Sequence, residues 1–120
     1  MSFSLKTRKV ADIALVDMKG KLMIGEPVLL LRETIRKFVA DGTRNFILNL
    51  GEVSYIDSAG LGELITTYTS CRNRAGQAKL INLSKTAKDL LQMTKLLTVF
   101  DCYDSEAKAI ETFQAKSAHG

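Results

Sequence analysis

The chain has 120 residues and a formal net charge of +4, and 46% of its residues are hydrophobic. That length and composition predict one domain over residues 1–120, with a core that needs no disulfide or metal. The basic residues are spread along the chain, which argues against a nucleic-acid-binding protein, since such proteins concentrate Lys and Arg on one face.

The first half of the chain predicts strands followed by a helix. Residues 5–19 alternate loosely and contain β-branched side chains, which predicts two strands or a hairpin. Residues 21–24 predict another short strand before Gly25. Pro27 suits the first turn of a helix that runs to about Ala40. The apolar run at residues 46–50 is typical of a central strand covered on both faces.

The second half continues the alternation of helices and strands. A helix near Ser58 has Leu61, Leu64, Ile65 and Tyr68 at the spacing of one buried face. Ser84 is suited to cap a third helix. The remaining predicted elements are the end of the second helix near residues 75–76, strands at 79–82 and 99–100, a last helix from Asp104 or Ser105, and a loose tail over 114–120.

This order of elements predicts the fold class. Strands that alternate with helices are typical of a mainly parallel sheet with helices packed on it. We therefore expect an α/β fold with a single mixed β-sheet flanked by about four α-helices.

Membrane insertion and the common catalytic sites are not expected. No apolar run approaches the roughly 20 residues that span a bilayer, so we expect a cytoplasmic protein. Cys71 and Cys102 lack the spacing of a redox pair or a zinc site. The only histidine, His119, lies beside the last residue, where chains commonly fray. The sequence therefore predicts no metal, no cofactor and no Ser/His/Asp triad.

Residues 57–62, Asp-Ser-Ala-Gly-Leu-Gly, are the most informative segment. Ser58 lies between a buried strand and a helix, where serine is a preferred cap. Gly60 and Gly62 each cost a helix about 1 kcal/mol relative to alanine. Either a neighbouring element packs tightly against this turn, or a partner or phosphate approaches it closely. The spacing alone favours neither reading.

This segment does not match any of three common enzyme motifs. A phosphate-binding P-loop requires a lysine after the last glycine, and none follows Gly62. The dinucleotide-binding pattern requires a third glycine where Ile65 stands. A hydrolase nucleophile elbow requires a glycine at Ile56 and a histidine base. Ser58 is thus a poor nucleophile, but as a short residue at a helix start it is a good acceptor of a group transferred by another enzyme.

Residues 48–62, Leu-Asn-Leu-Gly-Glu-Val-Ser-Tyr-Ile-Asp-Ser-Ala-Gly-Leu-Gly, resemble the signature of STAS domains, specifically the bacterial anti-sigma factor antagonists. The similarity extends through residues 20–22 and 79–87. The resemblance implies the STAS fold and a regulator that is not an enzyme. It also implies that Ser58 is phosphorylated by an anti-sigma factor that is a serine-protein kinase of the GHKL ATPase type, and that a phosphatase reverses the modification.

The resemblance further implies how such a protein acts. The unphosphorylated antagonist binds the anti-sigma factor and releases the sigma factor, and phosphorylation of Ser58 switches this binding off. Helix N–H groups are expected to accept the phosphate locally, so that the fold survives. The expected partner-binding residues are Ser54, Asp57, Ser58, Ala59, Gly60, Leu61 and Gly62, with Met23 and Ser84 from neighbouring turns.

Two other functions stay open at this point. A STAS protein can be the accessory subunit of a lipid-transporting ABC complex, although those subunits diverge more at the motif. A nucleotide-binding STAS module is suggested only by Gly60 and Gly62 at a helix start. Met23, where the family often has an acidic or small polar residue, is either core or part of an unusually apolar surface.

Overall fold

The structure is a computed structural model, and it describes residues 3–118. Five strands form one sheet in the order β1-β2-β3-β4-β5. The strands are β1 (Ser4–Val10), β2 (Ile13–Leu22), β3 (Asn45–Ile56), β4 (Gln77–Ile81) and β5 (Asp101–Tyr103). The helices are α1 (Glu26–Ala40), α2 (Ser58–Asn73), α3 (Lys85–Met93) and α4 (Glu106–Ala118). The predicted α/β class, with a single mixed sheet and four helices, is confirmed.

The sheet is covered on both faces by helices. Strand β1 is antiparallel to β2, and the other neighbouring strands are parallel. Leu31 of α1, Leu64 of α2 and Leu91 of α3 share one buried cluster with Phe46 and Leu48 of β3. On the opposite face, Ala109 and Phe113 of α4 are buried in a second cluster with Ile13, Leu15, Ile47 and Ile81.

The separate strand predicted at residues 21–24 is wrong. Strand β2 continues through Lys21 and Leu22, with register shifts against β3 at Asp17/Lys19 and at Gly20/Lys21. Gly20 has a φ of 105°, so it redirects the strand at an irregularity without ending it.

Two predicted boundaries near the end of the chain also differ. The last strand begins at Asp101, where pairing with Lys79 of β4 starts, and Phe100 is buried just before it. Helix α4 reaches Ala118, so the tail expected from Gln114 is helical to that residue. His119 and Gly120 lie outside the described residues.

The buried face of helix α2 is shifted from the one that its apolar spacing predicts: Leu64 is buried and Leu61 and Tyr68 pack against the core as expected, but Ile65 does not. Ile65 was expected to face inward, but it is 37% exposed, whereas Glu63 and Thr67 are buried. The reason is a polar contact between helices: Nε and Nη2 of Arg32 on α1 donate to Oε1 of Glu63 at 3.2 and 3.0 Å. The ion pair allows the carboxylate of Glu63 to be buried.

We expect Arg32→Met to lower the free energy of unfolding by on the order of 1 kcal/mol, since it leaves the buried Glu63 carboxylate without its partner. The expected loss of stability is modest because the Arg32 side chain is 41% exposed, and water therefore screens part of the interaction with Glu63. Urea denaturation measures the change. The double variant Arg32→Met/Glu63→Met should recover stability; a further loss would show that the pair is not what holds this contact.

Candidate functional site

The carboxyl ends of the parallel strands bring most of the predicted site residues to one edge of the sheet. The turn after β2, the start of α2 and the turn after β4 all lie at this edge. Ser54 and Ser58 are exposed, and Gly60 is buried. The half-buried residues of the predicted set are Met23, Asp57, Ala59, Leu61, Gly62 and Ser84.

The cap of α2 is Asp57, not Ser58 as one interpretation of the sequence had it. One carboxylate oxygen, Oδ1, accepts from the Gly60 N–H at 2.8 Å. The other, Oδ2, accepts from the Ile24 N–H at 2.9 Å. Asp57 therefore both caps α2 and ties it to the turn between β2 and α1, while Ser58 is the first, exposed residue of the helix.

These hydrogen bonds lower the pKa of the Asp57 carboxyl below its ordinary value. The bond from the Ile24 N–H is the largest cause, and the bond from the Gly60 N–H is the next. Both donors stabilise the charged carboxylate and not the neutral acid. Because the pKa is lower in the folded state than in the unfolded state, Asp57 stabilises the fold above its unfolded pKa.

We expect Asp57→Asn to lower stability at neutral pH, since an amide has one acceptor oxygen where the carboxylate has two. The stability gap between wild type and variant should begin to narrow as pH falls below about 4, the ordinary aspartate range, and continue to narrow toward the lowered pKa of the folded state. Urea denaturation of both proteins from pH 7 to pH 3 measures the gap. A gap that stays constant over this range would contradict the assigned hydrogen bonds.

The two glycines of the segment have different surroundings. A Cβ on Gly60 would lie 2.2 Å from the backbone oxygen of Leu22, so α2 could not pack at its present distance from β2. A Cβ on Gly62 would have no atom within 4 Å. Tight internal packing thus explains Gly60, while nothing within the described fold requires a glycine at position 62.

Ser84 faces inward instead of presenting a free hydroxyl. It caps α3 by accepting from the Ala87 N–H at 3.2 Å, and it donates to the Val53 carbonyl at 2.8 Å. These bonds join α3 to β3 beside the start of α2. Ser84 therefore supports the shape of this edge, and Ser58 is the hydroxyl with the greater exposure.

Ile24 is a residue of this edge that sequence reasoning missed. Its side chain is 74% exposed, while its N–H is held by Asp57. The sequence placed Ile24 at the end of a strand, and no periodicity distinguishes an exposed isoleucine there from a buried one. Met23, by contrast, is half-buried.

No group of three or more His, Cys, Asp or Glu side chains that could hold a metal ion occurs within residues 3–118. Cys71 is buried and Cys102 half-buried, and burial raises the pKa of each thiol to about 11. Within the same residues, none of the helices combines the length and the apolarity needed to cross a membrane.

The chain is similar in sequence to one protein family and to several of its characterised members. The model of the family described as "STAS domain" matches residues 4–109. The anti-sigma-B factor antagonist of Bacillus subtilis is 33% identical over 102 residues, covering 84% of this chain and 91% of that protein. The anti-sigma F factor antagonist of Paenibacillus polymyxa is 25% identical over 73 residues, or 61% of this chain and 62% of that protein.

Solved structures show the same fold. The unphosphorylated form of the anti-sigma factor antagonist SpoIIAA superimposes with a TM-score of 0.80 at 21% identity, covering 93% of this chain and 97% of that one. The phosphorylated form of Bacillus SpoIIAA gives 0.73 at 22% identity, with 92% and 99% covered.

Proposed function

The chain belongs to the STAS domain family, and on that premise we propose that it is an anti-sigma factor antagonist switched by phosphorylation of Ser58. In its unphosphorylated form it binds an anti-sigma factor and releases the sigma factor. The anti-sigma factor is a serine-protein kinase of the GHKL ATPase type, and a phosphatase restores the binding form. This role requires the cytoplasm and involves binding, not catalysis by this chain.

The observation that carries the proposal is the exposed Ser58 hydroxyl at the start of α2. The neighbouring Asp57 carboxylate is engaged with backbone N–H groups, so Ser58 is the accessible acceptor at this position. Relatives named as anti-sigma factor antagonists, one of them solved in a phosphorylated form, support the same interpretation.

The proposed modification is a phosphoryl transfer from ATP. The Ser58 oxygen forms a bond to the γ-phosphorus as the bond between that phosphorus and the bridging oxygen of ADP breaks. ADP leaves, and the hydroxyl proton passes to a base of the kinase. The phosphatase reverses the change by hydrolysis, in which water supplies the oxygen of the inorganic phosphate released.

The surroundings of Ser58 are suited to docking a protein. Ile24, whose N–H donates to Asp57, is 74% exposed, and Tyr55, three residues before Ser58, is 45% exposed. Apolar side chains of this kind gain free energy when a partner removes them from water. A phosphate of charge about −2 among them adds bulk and a desolvation cost. Phosphorylation should therefore oppose binding without unfolding the protein.

The proposal is tested by isolating the protein from the cell that makes it and mapping its phosphorylated residues by mass spectrometry. The expected result is an added phosphate of about 80 daltons on Ser58. Purified serine kinases of this type from the same genome should then phosphorylate wild type with ATP and leave Ser58→Ala unmodified. No phosphate on Ser58 under any growth condition, with co-purification of an ABC ATPase, would contradict the proposal.

A further inference from the structure

We infer that the Ile24 side chain is the apolar anchor by which the anti-sigma factor binds this edge of the sheet, and that Asp57 supports binding by holding Ile24 in place. The inference rests on the proposed function, since the partner is the anti-sigma factor proposed above. Ile24 contacts that partner, whereas Asp57 is a positioning residue that acts through Ile24.

Ile24 is an isoleucine that the fold leaves in water. Its side chain is 74% exposed, whereas Leu22 and Val28 on either side of the turn are buried. Among the exposed large apolar side chains of the described residues, only that of Met93 is more exposed, at 81%. Single apolar side chains are common on protein surfaces, so exposure by itself does not identify a binding residue.

The backbone around Ile24 is what distinguishes it from an ordinary exposed residue. Its N–H donates to Oδ2 of Asp57 at 2.9 Å. Just before it, the Met23 carbonyl accepts from the Val28 N–H at 3.2 Å. Just after it, Gly25 has a φ of 102°, a conformation that favours glycine. The turn is therefore fixed at Ile24 and on both sides of it, although the side chain that it presents is apolar and exposed.

Asp57 places this turn next to the proposed switch. The residue directly precedes Ser58, and its Oδ1 accepts from the Gly60 N–H at 2.8 Å while its Oδ2 accepts from Ile24. One carboxylate thus joins the start of α2 to the turn. A partner that covers Ser58 would also cover the Ile24 side chain, because a single side chain links the two segments.

The surroundings of Ile24 favour an apolar contact over a charged one. Lys21 and Glu26, the exposed charged residues near the turn, have opposite signs. Removing apolar surface from water drives association, and a turn that is already ordered avoids the entropy cost of fixing it on binding. Interfaces commonly depend on a few side chains that enter well-packed pockets. We therefore expect the anti-sigma factor to present an apolar pocket that receives Ile24.

The experiment is a double-mutant cycle with full-length protein and purified anti-sigma factor. Titration calorimetry gives the Kd of wild type, Ile24→Ala, Asp57→Asn and the double variant, at a temperature where circular dichroism shows all four folded. We expect Ile24→Ala to raise the Kd by about 10- to 100-fold and Ile24→Val by about threefold. Asp57→Asn alone should raise the Kd by about 10-fold, but by at most about twofold when Ile24 is already alanine.

Phosphorylation kinetics provide a readout that a loss of stability would not produce. If Ile24 serves only to bind the partner, Ile24→Ala should raise the KM of the kinase for this protein and leave kcat unchanged. Met93→Ala is the matched control. It removes an apolar side chain that is 81% exposed at the end of α3, and it should keep the wild-type Kd and KM.

Two results would overturn the inference. One is an Ile24→Ala protein that binds as tightly as wild type. The other is the same 10-fold loss from Asp57→Asn with and without Ile24, which would mean that Asp57 acts on the partner directly or through α2. Failure of the proposed function looks different: unphosphorylated wild type that binds none of the purified anti-sigma factors of its genome would overturn both proposals.

Discussion

We expect Gly60→Ala to lower the free energy of unfolding by about 1–3 kcal/mol, the usual cost of adding a methyl group to closely packed atoms. The new Cβ would lie 2.2 Å from the Leu22 backbone oxygen and 3.0 Å from the Leu22 carbonyl carbon. Backbone atoms at the end of β2 cannot turn aside as a side chain can. Relief requires α2 to move away, which lengthens the contacts of Asp57.

The higher helix propensity of alanine offsets about 1 kcal/mol of this cost. Thermal and urea denaturation measure the change, and each kcal/mol corresponds to about 4 °C in the midpoint for a domain of this size. A Gly60→Ala protein as stable as wild type would show that α2 does not approach β2 as closely as the structure has it.

Gly62→Ala is the matched control, two residues further along the same helix. No atom lies within 4 Å of the added Cβ. We therefore expect Gly62→Ala to raise the free energy of unfolding by up to about 1 kcal/mol, because alanine favours a helix more than glycine does. If the bare backbone at Gly62 admits a partner, the same variant should bind the anti-sigma factor more weakly. Greater stability with unchanged binding would place Gly62 outside the docking surface.

The second large effect is expected in binding. Ser58→Asp should weaken the complex with the anti-sigma factor by about 100-fold, or about 2.8 kcal/mol, because it leaves an unpaired charge in a desolvated interface. The side chain at position 58 is exposed, so the fold itself should tolerate the change. Titration calorimetry or surface plasmon resonance with purified partner measures the affinity.

Ser58→Asn separates charge from bulk, since its side chain has the size of aspartate without the charge. We expect Ser58→Asn to lose much less affinity than Ser58→Asp, and Ser58→Ala to bind about as well as wild type. Equal affinities for all four proteins would place Ser58 outside the interface. Equal losses for Asp and Asn would assign the switch to bulk.

Much of the architecture can be predicted from the sequence because local patterns report it directly. The apolar run at residues 46–50 lies within the buried central strand β3, and Pro27 lies in the first turn of α1. Ser84 caps α3 as predicted. The motif at residues 57–62 places Ser58 at a helix start, which the structure shows to be exposed. Each of these features depends on residues close together in the chain.

Only the tertiary structure decided which groups far apart in the sequence contact one another. Asp57 and Ile24 are 33 positions apart, and Arg32 and Glu63 are 31 apart. Periodicity ranks the faces of a helix by apolar content, so it could not show that a polar face of α2 would be buried against α1. For the same reason the sequence favoured Ser58 as the cap of α2, where the structure has Asp57, and did not show that Ile24 is exposed. The sequence determined the fold and the accessible serine, because strand and helix patterns are local. Packing of distant segments determined that Asp57 holds α2 in place and that, of the two glycines in residues 57–62, Gly60 is the one that is sterically required.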